Sequence, residues 1–146
     1  MTDLDHSKLF LEIIPRTMRM VRTEIRKIAG DEFTTPQYRL LSKITRNVCS
    51  NQELADWMGV AAPTMSKMVD KLVERGLVRR SAERDVSDSE IDRRKIAIYP
   101  TPRGLARTNE VRGAVQQIFA RRIAKLPTSR KRELLAGLNV LKEFIA

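Results

Sequence analysis

The chain of 146 residues has one cysteine, one histidine and one tryptophan, and each scarcity excludes something. A lone thiol, Cys49, rules out an internal disulfide framework. A lone imidazole, His6, sits near the terminus and leaves no spare histidine for a nucleophile–base pair. There is no glycine-rich phosphate loop and no metal-ligand spacing, so neither catalysis nor a cofactor is expected. No apolar run approaches the roughly 20 residues needed to span a bilayer. The opening "MTDLDHSK" carries acid and lacks a signal-peptide core, which predicts a cytoplasmic protein. Internal repeats and low-complexity tracts are also missing.

What is present is charge and helical patterning. Charged residues make up 32% and hydrophobic residues 42% of the chain, the balance of a folded, helix-rich domain. The net charge of +10 points to a polyanionic partner, nucleic acid first. Its distribution weakens that inference. Residues 1–30 carry six basic and four acidic side chains, net +2; residues 31–104 carry thirteen and eleven, net +2; residues 105–146 carry nine and three, net +6. Charge alone therefore does not locate a binding surface.

Residues 8–29 place Leu9, Phe10, Ile13, Ile14, Met18, Val21, Ile25 and Ile28 on a helical stripe. Pro15 predicts a kink, or a short helix leading into a longer one, and Gly30 a stop. In "TTPQYRLLSKI", Thr35 is positioned to cap and Pro36 to open a helix that buries Leu40, Leu41 and Ile44. Ser50 and Glu53 have capping-box spacing ahead of a short helix closed by Gly59. Four residues on, Pro63 opens another, with Met65, Met68, Val69, Leu72 and Val73 facing inward. Two short helices joined by a glycine-containing turn are a helix-turn-helix candidate. "LVRRS" and "RKIAIYP" then read as a hairpin, with Ile96 and Ile98 pointing inward. Thr101 caps and Pro102 begins a long helix carrying Val111, Val115, Ile118, Phe119 and Ile123. A last helix starts near Thr128.

The outward face of the helix from Pro63 presents Thr64, Lys67 and Lys71 on one line, with Ser66 and Asp70 beside it. The major groove, about 12 Å wide, admits such a helix, and its N-terminal residues are those that reach base edges. At the foot of the hairpin, Arg94 can enter the adjacent minor groove, while Asp92 holds its guanidinium by charge-assisted hydrogen bonds. Arg93 points to the other side of the strand. Between the strands, "DVSDSEID" lacks the glycine and ligand order of a calcium loop and reads as solvated. Cys49 reads as a packing residue. Leu134, Leu138, Leu141 and Ile145 fall at spacings 0, 4, 7 and 11, nearly a coiled-coil seam that one chain cannot cover by itself.

The stretches "FTTPQYRLLSKI", "NQELADWMGVAAPTMSKMVDKLVERGLV" and "DRRKIAIYPTPRG" resemble, in order and spacing, the MarR family of bacterial and archaeal winged-helix transcription regulators. The resemblance implies a mainly α fold with a small β-hairpin wing and N- and C-terminal dimerisation helices. Residues 1–30 and 102–146 would dimerise, through Leu9, Phe10 and Ile13 at one end and the leucine seam at the other. Residues 31–101 would form the DNA-binding lobe, with 63–75 as recognition helix and 77–99 as wing. It further implies a homodimeric, ligand-responsive repressor of double-stranded DNA on a pseudo-palindromic operator, with Asp92 and Arg94 at the family's wing positions. Two departures stand out. The wing carries about six extra residues, with Glu83, Asp85, Asp88 and Glu90 against a single Arg84. The recognition helix opens on Ala61-Ala62, where a capping hydroxyl is expected. Two other readings use the same features: a non-specific architectural DNA-binding protein, and an interaction module that has lost DNA binding.

Overall fold

The structure, a computed structural model, describes residues 1–81 and 96–146. Its helices are α1 (Asp3–Ala29), α2 (Thr35–Arg46), α3 (Asn51–Met58), α4 (Ala62–Glu74), α5 (Pro102–Ala124) and α6 (Thr128–Phe144). Its strands are β1 (Cys49–Ser50), β2 (Val78–Ser81) and β3 (Ala97–Pro100). Among the described residues, no helix is long and apolar enough to cross a membrane.

The ends of these helices follow from side-chain chemistry. Thr2 and Asp5 form a reciprocal capping box at the start of α1, satisfying backbone N–H groups that have no partner inside the helix. Thr34, and not Thr35, caps α2, again reciprocally, with Gln37. The Thr35 hydroxyl is buried and has no partner among the described residues. Ser50 accepts from the Glu53 backbone N–H at 3.2 Å, which is one half of the expected box. Gly59 ends α3 in the left-handed region at φ 73°, where a Cβ is disfavoured. α4 has no side-chain cap at Ala61.

The core lies where α2, α3, α4 and the sheet meet. Leu40, Leu41, Ile44, Leu54, Met65, Val69, Leu72, Leu77 and Ile98 are all fully buried there. Two expected members are not. Val73 is exposed, because the buried stripe of α4 narrows to Met65, Val69 and Leu72 and leaves Val73 at its edge. Ile96 is exposed as well. Among the described residues the ladder runs only as far as the Ser81–Ala97 pair, and Ile96 lies just outside it. The sheet has a third strand that periodicity did not reveal: β1 pairs with β3, setting Cys49 opposite Ile98. Two residues are too few for any alternation to register.

Pro15 lies inside α1, which continues through it as one helix. A proline removes a single backbone bond, and the helix is anchored further on by buried Ile25 and Ala29. α5 starts against the α4–β2 turn. The Thr101 hydroxyl caps the Gly104 N–H and donates to the Gly76 carbonyl at 2.6 Å, while Gly104 packs directly on the Leu77 backbone. Further along, Arg107 bonds Glu32 and the Ile28 carbonyl, and Arg122 reaches Glu24 at 3.4 Å. These contacts tie α5 to α1 and to the loop that follows it.

Candidate nucleic-acid interface

α3 and α4 are joined by three residues, Gly59 to Ala61, and they pack as a pair. Gly59's left-handed conformation turns the chain sharply enough for α4 to cross α3. The Asn51 side-chain amide donates to the Ala62 carbonyl at 3.1 Å, fastening the start of α4 to the start of α3. With Met65, Val69 and Leu72 turned inward, helical geometry sends Pro63, Thr64, Lys67 and Lys71 outward, and all four are exposed. Ser66 is half-buried beside them.

β2 braces this helix. Arg80 pairs with the Asp70 carboxylate at 2.7 Å and donates to the Ser66 carbonyl at 3.1 Å. One guanidinium fork thus spans a turn of α4 from the strand beside it. Its neighbour Arg79 lies over the Tyr99 ring, 4.6 Å from the centroid, on the other side of the strand. The sequence shows two adjacent arginines; which one meets Asp70 depends on how β2 packs against α4. Asp92, Arg93, Arg94 and the acidic insertion lie outside the described residues.

A groove of about 1720 Å³ lies between α1, the start of α2 and the end of α4. Met18, Ile25 and Phe33 supply apolar walls, and Arg22, Arg39 and Lys71 are among the cations on its rim. Arg19, Arg22 and Arg26 recur at spacings 0, 3 and 7 along α1, a second stripe beside the apolar one; that spacing was the available signal for this groove. Arg39 also lies over Trp57 at 5.4 Å, with Lys43 at 5.6 Å, so the only tryptophan is flanked by two cations.

The terminal helices leave apolar surface uncovered. No residue of α6 is buried. Leu9, Ile13, Leu134, Leu138 and Ile145 are exposed, with Leu138 at 51%. Phe10 is half-buried against Phe144 at 5.4 Å between centroids, and Leu141 is half-buried too. Leu126, Leu134, Leu138 and Leu141 line a shallow trough of about 620 Å³.

A helix-turn-helix braced by an antiparallel strand pair, with long helices before and after it, defines a winged helix-turn-helix protein. Residues 33–96 match the sequence model of the MarR family. No curated protein matches the sequence. Solved structures do. A MarR family protein from Bacillus stearothermophilus shares its fold at TM-score 0.82 and 19% identity, with 99% of this chain and 98% of that one covered. The transcriptional regulator BldR from Sulfolobus solfataricus aligns at TM-score 0.69 and 24% identity, covering 98% and 99%. The Mycobacterium tuberculosis MarR family protein Rv2887, in complex with p-aminosalicylic acid, aligns at TM-score 0.65 and 26% identity, covering 90% and 96%.

Proposed function

We propose that the chain is a homodimeric, cytoplasmic repressor that binds a pseudo-palindromic operator in double-stranded DNA and carries no catalytic activity. The observation that carries this reading is the exposed face of α4. Pro63, Thr64, Lys67 and Lys71 project from a helix whose opposite side is fully engaged in the core. Hydroxyl and ammonium groups on the first turns of such a helix suit base edges and phosphates in the major groove. Residues 31–101 form the DNA-binding lobe, braced by Arg80. Residues 1–30 and 102–146 form the dimerisation helices, where the bare apolar stripes of α1 and α6 favour a second copy. At the wing, Arg94 enters the minor groove and Asp92 steadies it.

The groove favours an effector as well. Its apolar walls and cationic rim fit an organic anion with a hydrophobic body, and the Rv2887 structure holds p-aminosalicylic acid, an aromatic carboxylate. Lys71 of α4 and Arg75, which caps that helix, line the same groove, so a bound anion acts on the helix that reads DNA.

Titrating labelled DNA from the region upstream of the protein's own gene, against random DNA at two salt concentrations, tests the reading. Thr64→Ala and Lys67→Ala should each cost about 1–3 kcal/mol on the preferred site. Thr64→Ala should barely change binding to random DNA, because it removes no charge. Equal losses on both DNAs would reduce these residues to backbone positioning.

A further inference from the structure

Seven cations fall between Glu110 and Glu133, an interval with no acidic residue. Three of the seven have partners: Arg112 bonds Ser42 and Thr45, Arg122 meets Glu24, and Arg130 meets Glu133. The other four, Arg121, Lys125, Lys131 and Arg132, have no ion pair among the described residues. Lys131 is half-buried and the rest are exposed. All four flank the α5–α6 turn, which is ordered by the bonds from Lys125 N to Arg122 O and from Leu126 N to Ile123 O. Like charges this close on the arms of one turn repel, and no ion pair among the described residues relieves them. Such a cluster is unfavourable in the free protein and favourable beside a polyanion.

The cluster cannot serve the duplex held by α4. α5 begins at the α4–β2 turn and runs 23 residues, which places its far end about 34 Å away. That is nearly three times the roughly 12 Å width of a major groove. In a second copy, the first helix offers the cluster little. On α1, Asp5 is engaged by Thr2, Glu12 by Arg16 and Glu24 by Lys27 and Arg122, which leaves Asp3 as the carboxylate of that helix with no partner among the described residues. A lipid surface is disfavoured too, since the aromatic nearest the turn, Phe119, is half-buried beneath Arg122 and is no exposed anchor of the kind interfacial helices use.

We propose that the α5–α6 turn is a second phosphate-backbone site, through which one molecule holds a second DNA segment away from the first. This goes beyond the repressor reading and rests on it only for the first duplex. The test uses the full-length protein, an immobilised short duplex and a fluorescent duplex of unrelated sequence. Wild type should retain the fluorescent duplex on the immobilised one. R121Q/K125Q/K131Q/R132Q should lower that capture at least about ten-fold, reduce its salt slope by about four, and leave single-duplex affinity within about three-fold. K125R/K131R should capture normally. A Thr64→Ala/Lys67→Ala/Lys71→Ala protein keeps the tip, so its residual binding at low salt should vanish when the four glutamines are added; this comparison reads the tip even if α4 has no role in DNA binding. The proposal is overturned if wild type captures no second duplex, or if the quadruple variant captures it normally. It also falls if that variant sediments as a monomer, making the turn a contact between copies, or if the four cations govern binding to phosphatidylglycerol vesicles and not to DNA.

Discussion

At Gly104 the backbone of α5 passes so close to the α4–β2 turn that a methyl group there would lie 1.8 Å from the Leu77 carbonyl oxygen. A backbone carbonyl that already accepts from the Thr101 N–H cannot swing aside as a lysine tip can. Gly104→Ala should therefore destabilise at the upper end of overpacking costs, about 3 kcal/mol, and lower the melting temperature by roughly 10 °C; calorimetry would read it. Cys49 gives a chemical test at the same scale. Burial pushes its thiol above the ordinary 9.0, with nearby Glu53 adding to the shift and Lys43 opposing it. Because the folded value is raised, the thiol's stabilising contribution is complete below about pH 9 and is lost as pH climbs through the folded value. At neutral pH Cys49 is a protonated packing residue. Labelling with a disulfide reagent should be slow in the native protein and immediate in denaturant; prompt native labelling would refute the assignment. Single residues were legible where local chemistry fixes them: Thr101, Ser50 and Gly59 announce caps and turns. Arg80 was not legible, because its partners Asp70 and Ser66 lie on another element.

Helices with full stripes and clear ends could be read directly from the sequence, whereas boundaries that depend on neighbours could not. α2 shows both: its buried face follows from Leu40, Leu41 and Ile44, yet the cap is Thr34 because only that hydroxyl reaches the Gln37 N–H, at 3.3 Å. β1 escaped for want of length, and its existence depends on β3 lying beside it. The missing cap of α4 was legible, and the structure bears it out. Ala61 already has the extended backbone of a cap residue, at φ −69° and ψ 149°, so a hydroxyl could be added without rearrangement. Ala61→Ser should stabilise the protein by about 1 kcal/mol and raise its melting temperature by roughly 3 °C. No gain would mean that backbone N–H groups at this end already have water partners that serve equally well.

For the molecule as a whole, the winged helix followed from the order of elements, while the groove between α1, α2 and α4 arises only when three distant segments meet. The uncovered stripes of α1 and α6 set the remaining expectation. Leu138→Asp, at a position 51% exposed in the single chain, should not harm the fold of one protomer. It should give monomers in sedimentation and remove operator binding, since one half-site contact loses the effective concentration that a linked second site provides. A Leu138→Asp protein that still sediments as a dimer would move the interface elsewhere. The joint at Thr101 and Gly104 decides how two such protomers can respond to anything they bind. The hydroxyl of Thr101 on Gly76, and Gly104 against Leu77, leave no slack where α5 meets the lobe that carries α4. Lobe and helix must therefore swing together, like an oar with its blade. Over an arm of about 34 Å, a tilt of about 5° at the dimer end carries the blade roughly 3 Å. Hydrogen bonds to base edges fail within a few tenths of an ångström beyond about 3.2 Å, so a barely visible rotation among the terminal helices would be enough to lift α4 off the base edges proposed for it.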